Sequence, residues 1–194
     1  AGPLLAQKLR RTPTQIMGPF YPITKPLDQD ADLTFVKGRP GRAAGQVIDV
    51  AGRVLNAQGQ PLPGVRMEIW QANTHGRYTH PSDTRDAPLD PNFEGYTVLT
   101  SDSEGRYRFR TVKPGPYPDS SGRMRPSHIH FDVSGRINRT VTQLYFAGDP
   151  YQDGDLYLQS AGANKERLIV ELQPGPTPSA EALQAVWDIV LDRG

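Results

Sequence analysis

The chain has 194 residues, long enough for one domain with a substantial core. Its 22 basic and 21 acidic residues nearly cancel and are scattered, which leaves no electrostatic footprint for nucleic acid or an anionic membrane surface. Cysteine is absent, which excludes a disulfide framework and a thiolate metal site, and no apolar run approaches the length of a membrane span.

The chain starts at Ala1 without Met, as after loss of a leader or of the initiator residue. The sequence leaves the compartment open, with the cytoplasm slightly favoured over export with a removed leader. Residues 1–44 read as an irregular arm, because Pro13, Gly18, Pro19, Pro22, Pro26, Pro40 and Gly41 leave no room for a long helix or central strand. Phe20 and Tyr21 could anchor that arm to the body. Residues 45–194 read as a single β-sandwich domain. "QVIDVAGRVL" is a strand, "NAQGQPLPG" is turn chemistry, and "VRMEIWQ" is a strand with Val65, Met67 and Ile69 on one face. A long polar loop follows, "ANTHGRYTHPSDTRDAPLDPNFEG", carrying His75, Tyr78 and His80. Loops of that length inside a compact domain are usually functional or disordered.

"YTVLT" and "RYRFRTV" flank the hairpin turn "SDSEG", and Tyr107, Phe109 and Thr111 alternate with Arg106, Arg108 and Arg110. The irregular "KPGPYPDSSGRM" leads into "RPSHIHFDV". "TVTQLYF" and "ERLIVELQ" read as further strands. At the end, Ser179 and Glu181 could open a short helix, and the alternation from Ala185 to Asp192 predicts one last strand. The fold class is therefore all-β, a sandwich of about eight strands with long active-site loops.

Within "RPSHIHFDV", successive strand residues face opposite ways, so Ile129, Phe131 and Val133 point to one side and His128 and His130 to the other. Two such histidines lie roughly 6.5–7 Å apart along the backbone and can converge on one metal ion. A lone H-x-H recurs in many places that bind nothing. Two tyrosines add to it here: Tyr117, stiffened between prolines, and Tyr78, in the long loop. Imidazole suits zinc and iron alike. A phenol ionises near pH 10 when free, so holding it as phenolate at neutral pH takes a strong Lewis acid such as ferric iron. Taken singly, either tyrosine could equally be an ordinary loop anchor.

The segments "WQANTHGRYTH", "DPNFEGYTVLTSDSEGRYRFRTVKPGPYP", "RPSHIHFDVSG" and "TQLYFAGDP" resemble the intradiol ring-cleavage dioxygenases, above all the iron-bearing β subunits of the protocatechuate 3,4-dioxygenase branch. The likeness runs from about Gly45 to Pro150, and more loosely through "WDIVL". It implies a non-haem Fe(3+) cofactor held by Tyr78, Tyr117, His128 and His130. It implies a catechol-type substrate that displaces Tyr117 from the metal, and ring opening with O2 between the two hydroxyls to a cis,cis-muconate. Arg125, three residues before His128, would stabilise charge developing on the substrate, and Gln143 would orient that arginine. His80 resembles a supporting histidine near the ligands, and His75 reads as a loop residue.

The sequence also departs from the family. Asp119 stands where protocatechuate enzymes typically carry a pocket-lining tryptophan, and the stretch from Tyr117 to His128 is about two residues shorter. The arm is too short for the helical dimerisation domain of catechol 1,2-dioxygenases. With all four candidate ligands kept, the chain falls on the catalytic side of its branch, working alone, as a homo-oligomer or with a partner chain. Two other readings stand beside this one. "AGRVLNAQGQPLPGVRMEIW" also resembles transthyretin-like binding modules, which lack the Tyr-Tyr-His-His set, and a zinc hydrolase would use the histidines but leave the tyrosines unexplained.

Overall fold

The structure, a computed structural model, describes residues 8–27, 29–175 and 181–192. Alternating hydrophobicity builds two sheets that face each other across one core. The first contains β1 (Val47–Leu55), β4 (Arg106–Val112), β10 (Leu183–Val186) and β11 (Ile189–Val190). In it β1 pairs antiparallel with β4 along one edge and parallel with β10 and β11 along the other. The second runs in the order β3 (Tyr96–Thr100), β2 (Arg66–Trp70), β7 (His128–Ser134), β8 (Arg139–Phe146) and β9 (Ile169–Val170). A two-stranded ribbon of β5 (Tyr117–Pro118) and β6 (Met124–Arg125) stands apart from both.

The core lies between the sheets. Phe131 from β7 meets the rings of Tyr107 and Phe109 from β4 and of Trp187, at centroid distances of 6.3, 6.0 and 5.1 Å. It is fully buried, which contributes roughly 1.5–3 kcal/mol relative to exposure. Along β4 the alternation expected from sequence holds: Tyr107, Phe109 and Thr111 are buried while Arg106, Arg108 and Arg110 are exposed.

β7 departs from that half-wet pattern. All its residues from His128 to Val133 are buried. Its core face carries Ile129, Phe131 and Val133. Its other face is covered by the arm and by the long loop of residues 71–95. The arm clips onto both sheets: the backbone N–H groups of Leu9, Thr12 and Gln15 donate to the carbonyls of Ala57, Val190 and Val141 at 2.8, 2.9 and 2.8 Å. The arm then crosses the outer face of the second sheet, where Tyr21 and Lys25 reach Glu68 at 2.5 and 3.0 Å.

Three strand expectations change. Eleven strands occur among the described residues, four of them only two residues long. "ERLIVELQ" narrows to Ile169–Val170, because Gly162–Leu168 winds as a 3-10 helix that buries Leu168. The C-terminal run divides into β10 and β11 at Trp187 and Asp188. There the Asp188 carboxylate, rather than a backbone carbonyl, accepts the Arg53 N–H at 2.8 Å. Trp187 fits because Gly52 leaves room: a Cβ on Gly52 would lie 1.8 Å from the Trp187 carbonyl oxygen. The short helix expected from Ser179 and Glu181 does not form in its described part, where Glu181 and Ala182 are irregular and β10 begins at Leu183; Ser179 itself lies outside the described residues.

Candidate active site

Three segments deliver polar side chains to the covered face of β7. Strand alternation supplies His128 and His130 directly. The second segment is the turn at Asn73. Its buried side-chain oxygen accepts the N–H groups of His75 and Arg77 at 2.9 and 3.0 Å, curling "NTHGR" so that Tyr78 turns inward. Asp83 then accepts the Tyr78 N–H at 2.8 Å. The third is the β5–β6 ribbon, whose register sets Tyr117 opposite Arg125.

Two glycines let the second and third segments touch. A Cβ on Gly76, whose φ is +77°, would lie 2.4 Å from the Pro116 carbonyl oxygen. A Cβ on Gly115 would lie 2.4 Å from the Thr74 carbonyl oxygen and 2.5 Å from the Gly76 nitrogen. Only bare backbone passes at that distance. The glycines of "HGRY" and "PGPY" are thus the reason Tyr78 and Tyr117 meet.

The result is a chain of polar atoms. His130 Nε2 lies 3.0 Å from the Tyr78 hydroxyl, which lies 3.4 Å from the Tyr117 hydroxyl, which lies 3.2 Å from His128 Nε2. His128 Nδ1 sits 2.7 Å from the Pro126 carbonyl, a contact only an N–H can make, so His128 Nε2 carries the lone pair. The His130 ring stacks on Trp70 with centroids 5.0 Å apart and planes within 5°. Gly18 of the arm presses on the same ring, since a Cβ there would stand 3.2 Å from His130 Cε1.

Burial sets the protonation states. It holds both histidines well below the ordinary imidazole range, with the Arg125 cation adding to the effect, so both rings are neutral. Burial also raises both phenols, Tyr78 further because Tyr117 lies beside it, while the Arg125 charge pulls Tyr117 part of the way back. Two imidazole lone pairs and two phenols thus share one dry spot. Among the described residues no group of three His, Cys, Asp or Glu side chains gathers to hold a metal ion, so a metal here would need the phenols as donors. The donor set fits a trivalent cation, which can ionise phenols that burial keeps neutral. His130 Nδ1 is buried without a hydrogen-bond partner, so with the lone pair on Nε2 its N–H is left unpaired.

Arg125 lies beside this set. It is 4% exposed, and its Nη1 sits 3.2 Å from His128 Nε2. Its Nη2 donates to Gln143 Oε1 at 2.8 Å and to the Tyr145 hydroxyl at 3.2 Å. Gln143 in turn donates to the Ile16 carbonyl, so the arm helps to fix it. The six residues singled out from sequence therefore come together.

His80 does not join them directly, since its Nδ1 accepts the Ser82 N–H within its own loop. Asp119 caps the ribbon turn through Ser121 and the Arg123 N–H, which explains a carboxylate at that position. Sequence reading missed Asp155, Tyr145 and Arg85. The Arg85 guanidinium lies 4.3 Å from the Tyr117 ring centroid while both of its edge nitrogens bond Asp83.

Comparison with known proteins shows the family. The dioxygenase family Dioxygenase_C matches residues 16–193. The protocatechuate 3,4-dioxygenase beta chain of Burkholderia cepacia is 45% identical over 171 residues, covering 86% of this chain and 72% of that one. The chain belongs to the intradiol ring-cleavage dioxygenases. The catechol 1,2-dioxygenase of Acinetobacter baylyi is 31% identical, and this chain spans 56% of its length. Among solved structures, the dioxygenase domain of a dioxygenase–carbohydrate-binding fusion from Streptomyces sp. SirexAA-E superposes with a TM-score of 0.72 at 25% identity, covering 95% of this chain and all of that domain. The family match starts at residue 16, so it takes in the part of the arm that crosses the site.

Proposed function

We propose that this intradiol dioxygenase binds one ferric ion through Tyr78, Tyr117, His128 and His130 and opens catechol-type rings to cis,cis-muconates. The observation that carries the reading is the convergence of two buried phenols and two neutral imidazoles, with hydroxyl and Nε2 atoms linked at 3.0–3.4 Å beside a buried arginine. When bound, ferric iron supplies the Lewis acidity that ionises phenols and catechol hydroxyls and makes the ring reactive toward dioxygen.

The protein's own groups have separable tasks. His128 and His130 enter neutral, so no proton has to leave them. Tyr117 sits on a two-residue strand of the ribbon, opposite Arg125. As a phenolate it can accept a proton from an incoming catechol hydroxyl at its Oη. Tyr78, fixed by Asp83 and packed on Phe20 at 4.8 Å, keeps its place. Arg125 offers a permanent positive charge to the ring as negative charge builds there. Gln143 orients it. The arm segment from Gly18 to Tyr21 excludes water from the His130 side.

The substrate is read as a substituted catechol, by analogy with the protocatechuate and catechol enzymes named above. Oxygen uptake by the iron-loaded protein over catechol, protocatechuate and hydroxyquinol tests the reading. Uptake with stoichiometric muconate-type product on at least one of them is expected. A folded, iron-loaded protein inert toward all three would refute it.

A further inference from the structure

The segment after β8 carries none of the candidate site residues, yet it bends back onto the site. Asp149 begins the return by accepting the N–H groups of Ser127 and Tyr151 at 2.8 and 3.0 Å. This ties the turn to the residue just before β7. Six residues on, Asp155 caps the four-residue helix α1 (Leu156–Gln159), and its Oδ2 accepts the Leu158 N–H at 3.3 Å. Leu158 is buried in the core, which holds the helix down.

Asp155 faces Arg125. Arg125 Nε reaches Asp155 Oδ1 at 3.1 Å and Nη2 reaches Oδ2 at 3.1 Å, a two-pronged pair with both side chains almost wholly buried. Next along the helix, the Tyr157 ring lies 4.5 Å from the guanidinium carbon. A guanidinium carries five N–H groups in a rigid plane. Asp155 takes the Nε–Nη2 edge, with Gln143 and Tyr145 also on Nη2. That leaves Nη1, and Nη1 is the nitrogen that points at His128 Nε2. The carboxylate therefore does two things. It balances a buried cation, which would otherwise be costly, and it fixes the rotation that aims Nη1 at the reacting centre. Among the described residues it is the only carboxylate ion-paired with Arg125.

We infer that Asp155 is a positioning residue for Arg125: it sets the direction of the charge that acts on the bound ring. The inference rests on the dioxygenase reading above. Asparagine is the discriminating substitution, because it caps a helix about as well as aspartate but cannot accept the full fork. Asp155→Asn should keep its iron content and visible band and bind catechol anaerobically with an unchanged spectral shift. Its kcat should fall about tenfold or more while KM moves far less. In an Arg125→Lys background, which has no fork to hold, the same change should cost less than about twofold, a coupling that a general packing role would not produce.

The outcomes separate cleanly. A parent protein with iron but no oxygen uptake would overturn the dioxygenase reading and this inference with it. An active parent whose Asp155→Asn variant turns over within twofold, loses its iron, or shows the same loss in the Arg125→Lys background would overturn the inference alone.

Discussion

On the outer face of the first sheet, Arg108 and Arg110 stand in water around Asp49, Arg53 pairs with Asp188, and Arg106 with Asp102 and Glu104. On the outer face of the second, His128, His130 and Gln143 are sealed beneath the arm and the long loop. Both faces come from the same strand alternation, one apolar side and one polar. What differs is the irregular chain laid over the second. Covering a polar face is unfavourable unless its groups satisfy one another, and here the linked phenols, imidazoles and guanidinium do so, His130 Nδ1 excepted. The comparison shows how a sandwich gains a site: the strands supply polar side chains at fixed spacing, and the cover strips their water and shifts their proton affinities.

The sharpest way to break the contrast is to remove a donor from the covered face. Tyr78→Phe should weaken iron retention about tenfold or more, measured as iron per chain after dialysis against a chelator, and weaken and shift the visible band of the iron that remains. Full iron occupancy in this variant would mean the phenol is not a ligand.

Next in size is damage to the contact that brings the two tyrosine segments together. Gly115→Ala places a methyl 2.4 Å from the Thr74 carbonyl oxygen, so backbone must move, at a cost of about 1–3 kcal/mol. Chemical denaturation reads this directly, and a change below 0.5 kcal/mol would contradict the close approach.

The clamp that holds the arm gives a pH prediction. Burial alone would raise the Glu68 carboxyl, but hydrogen bonds from Tyr21, Tyr96, Arg66 and Lys25 outweigh it and hold it down to about 2. A carboxyl held below its unfolded value of 4.5 stabilises the fold fully above that pH and loses the contribution as pH falls toward about 2. Glu68→Gln should therefore lose less stability than the parent between pH 7 and pH 3, as denaturation midpoints at the two pH values would show. Parallel losses in the two proteins would rule out this role. The smallest effect belongs to the wet face: Arg108→Ala should change stability by less than about 1 kcal/mol and leave the iron spectrum unchanged.

Much of this was legible in the sequence, for identifiable reasons. His128 and His130 could be placed on one face because a strand has a fixed period. Tyr78, Tyr117, Arg125 and Gln143 stood in segments whose family likeness was specific. Other features depend on contacts that no local pattern encodes. Asp155 reaches Arg125 across 30 residues of sequence, and the close passage at Gly76 and Gly115 appears only when the two loops are side by side. The C-terminal alternation looked continuous because periodicity does not report a carboxylate such as Asp188 taking over a backbone bond. Nothing in β7 itself shows that the arm lies over its polar face.

The central claim is that two phenols and two imidazoles share one ferric ion. Resonance Raman spectroscopy of the iron-loaded protein, excited in its visible band, tests it most directly when read on the parent, Tyr78→Phe and Tyr117→Phe together. Tyrosinate ring modes in the parent, with a distinct component missing from each variant, are the expected result. A visible band without tyrosinate modes, or one indifferent to both substitutions, would contradict the account.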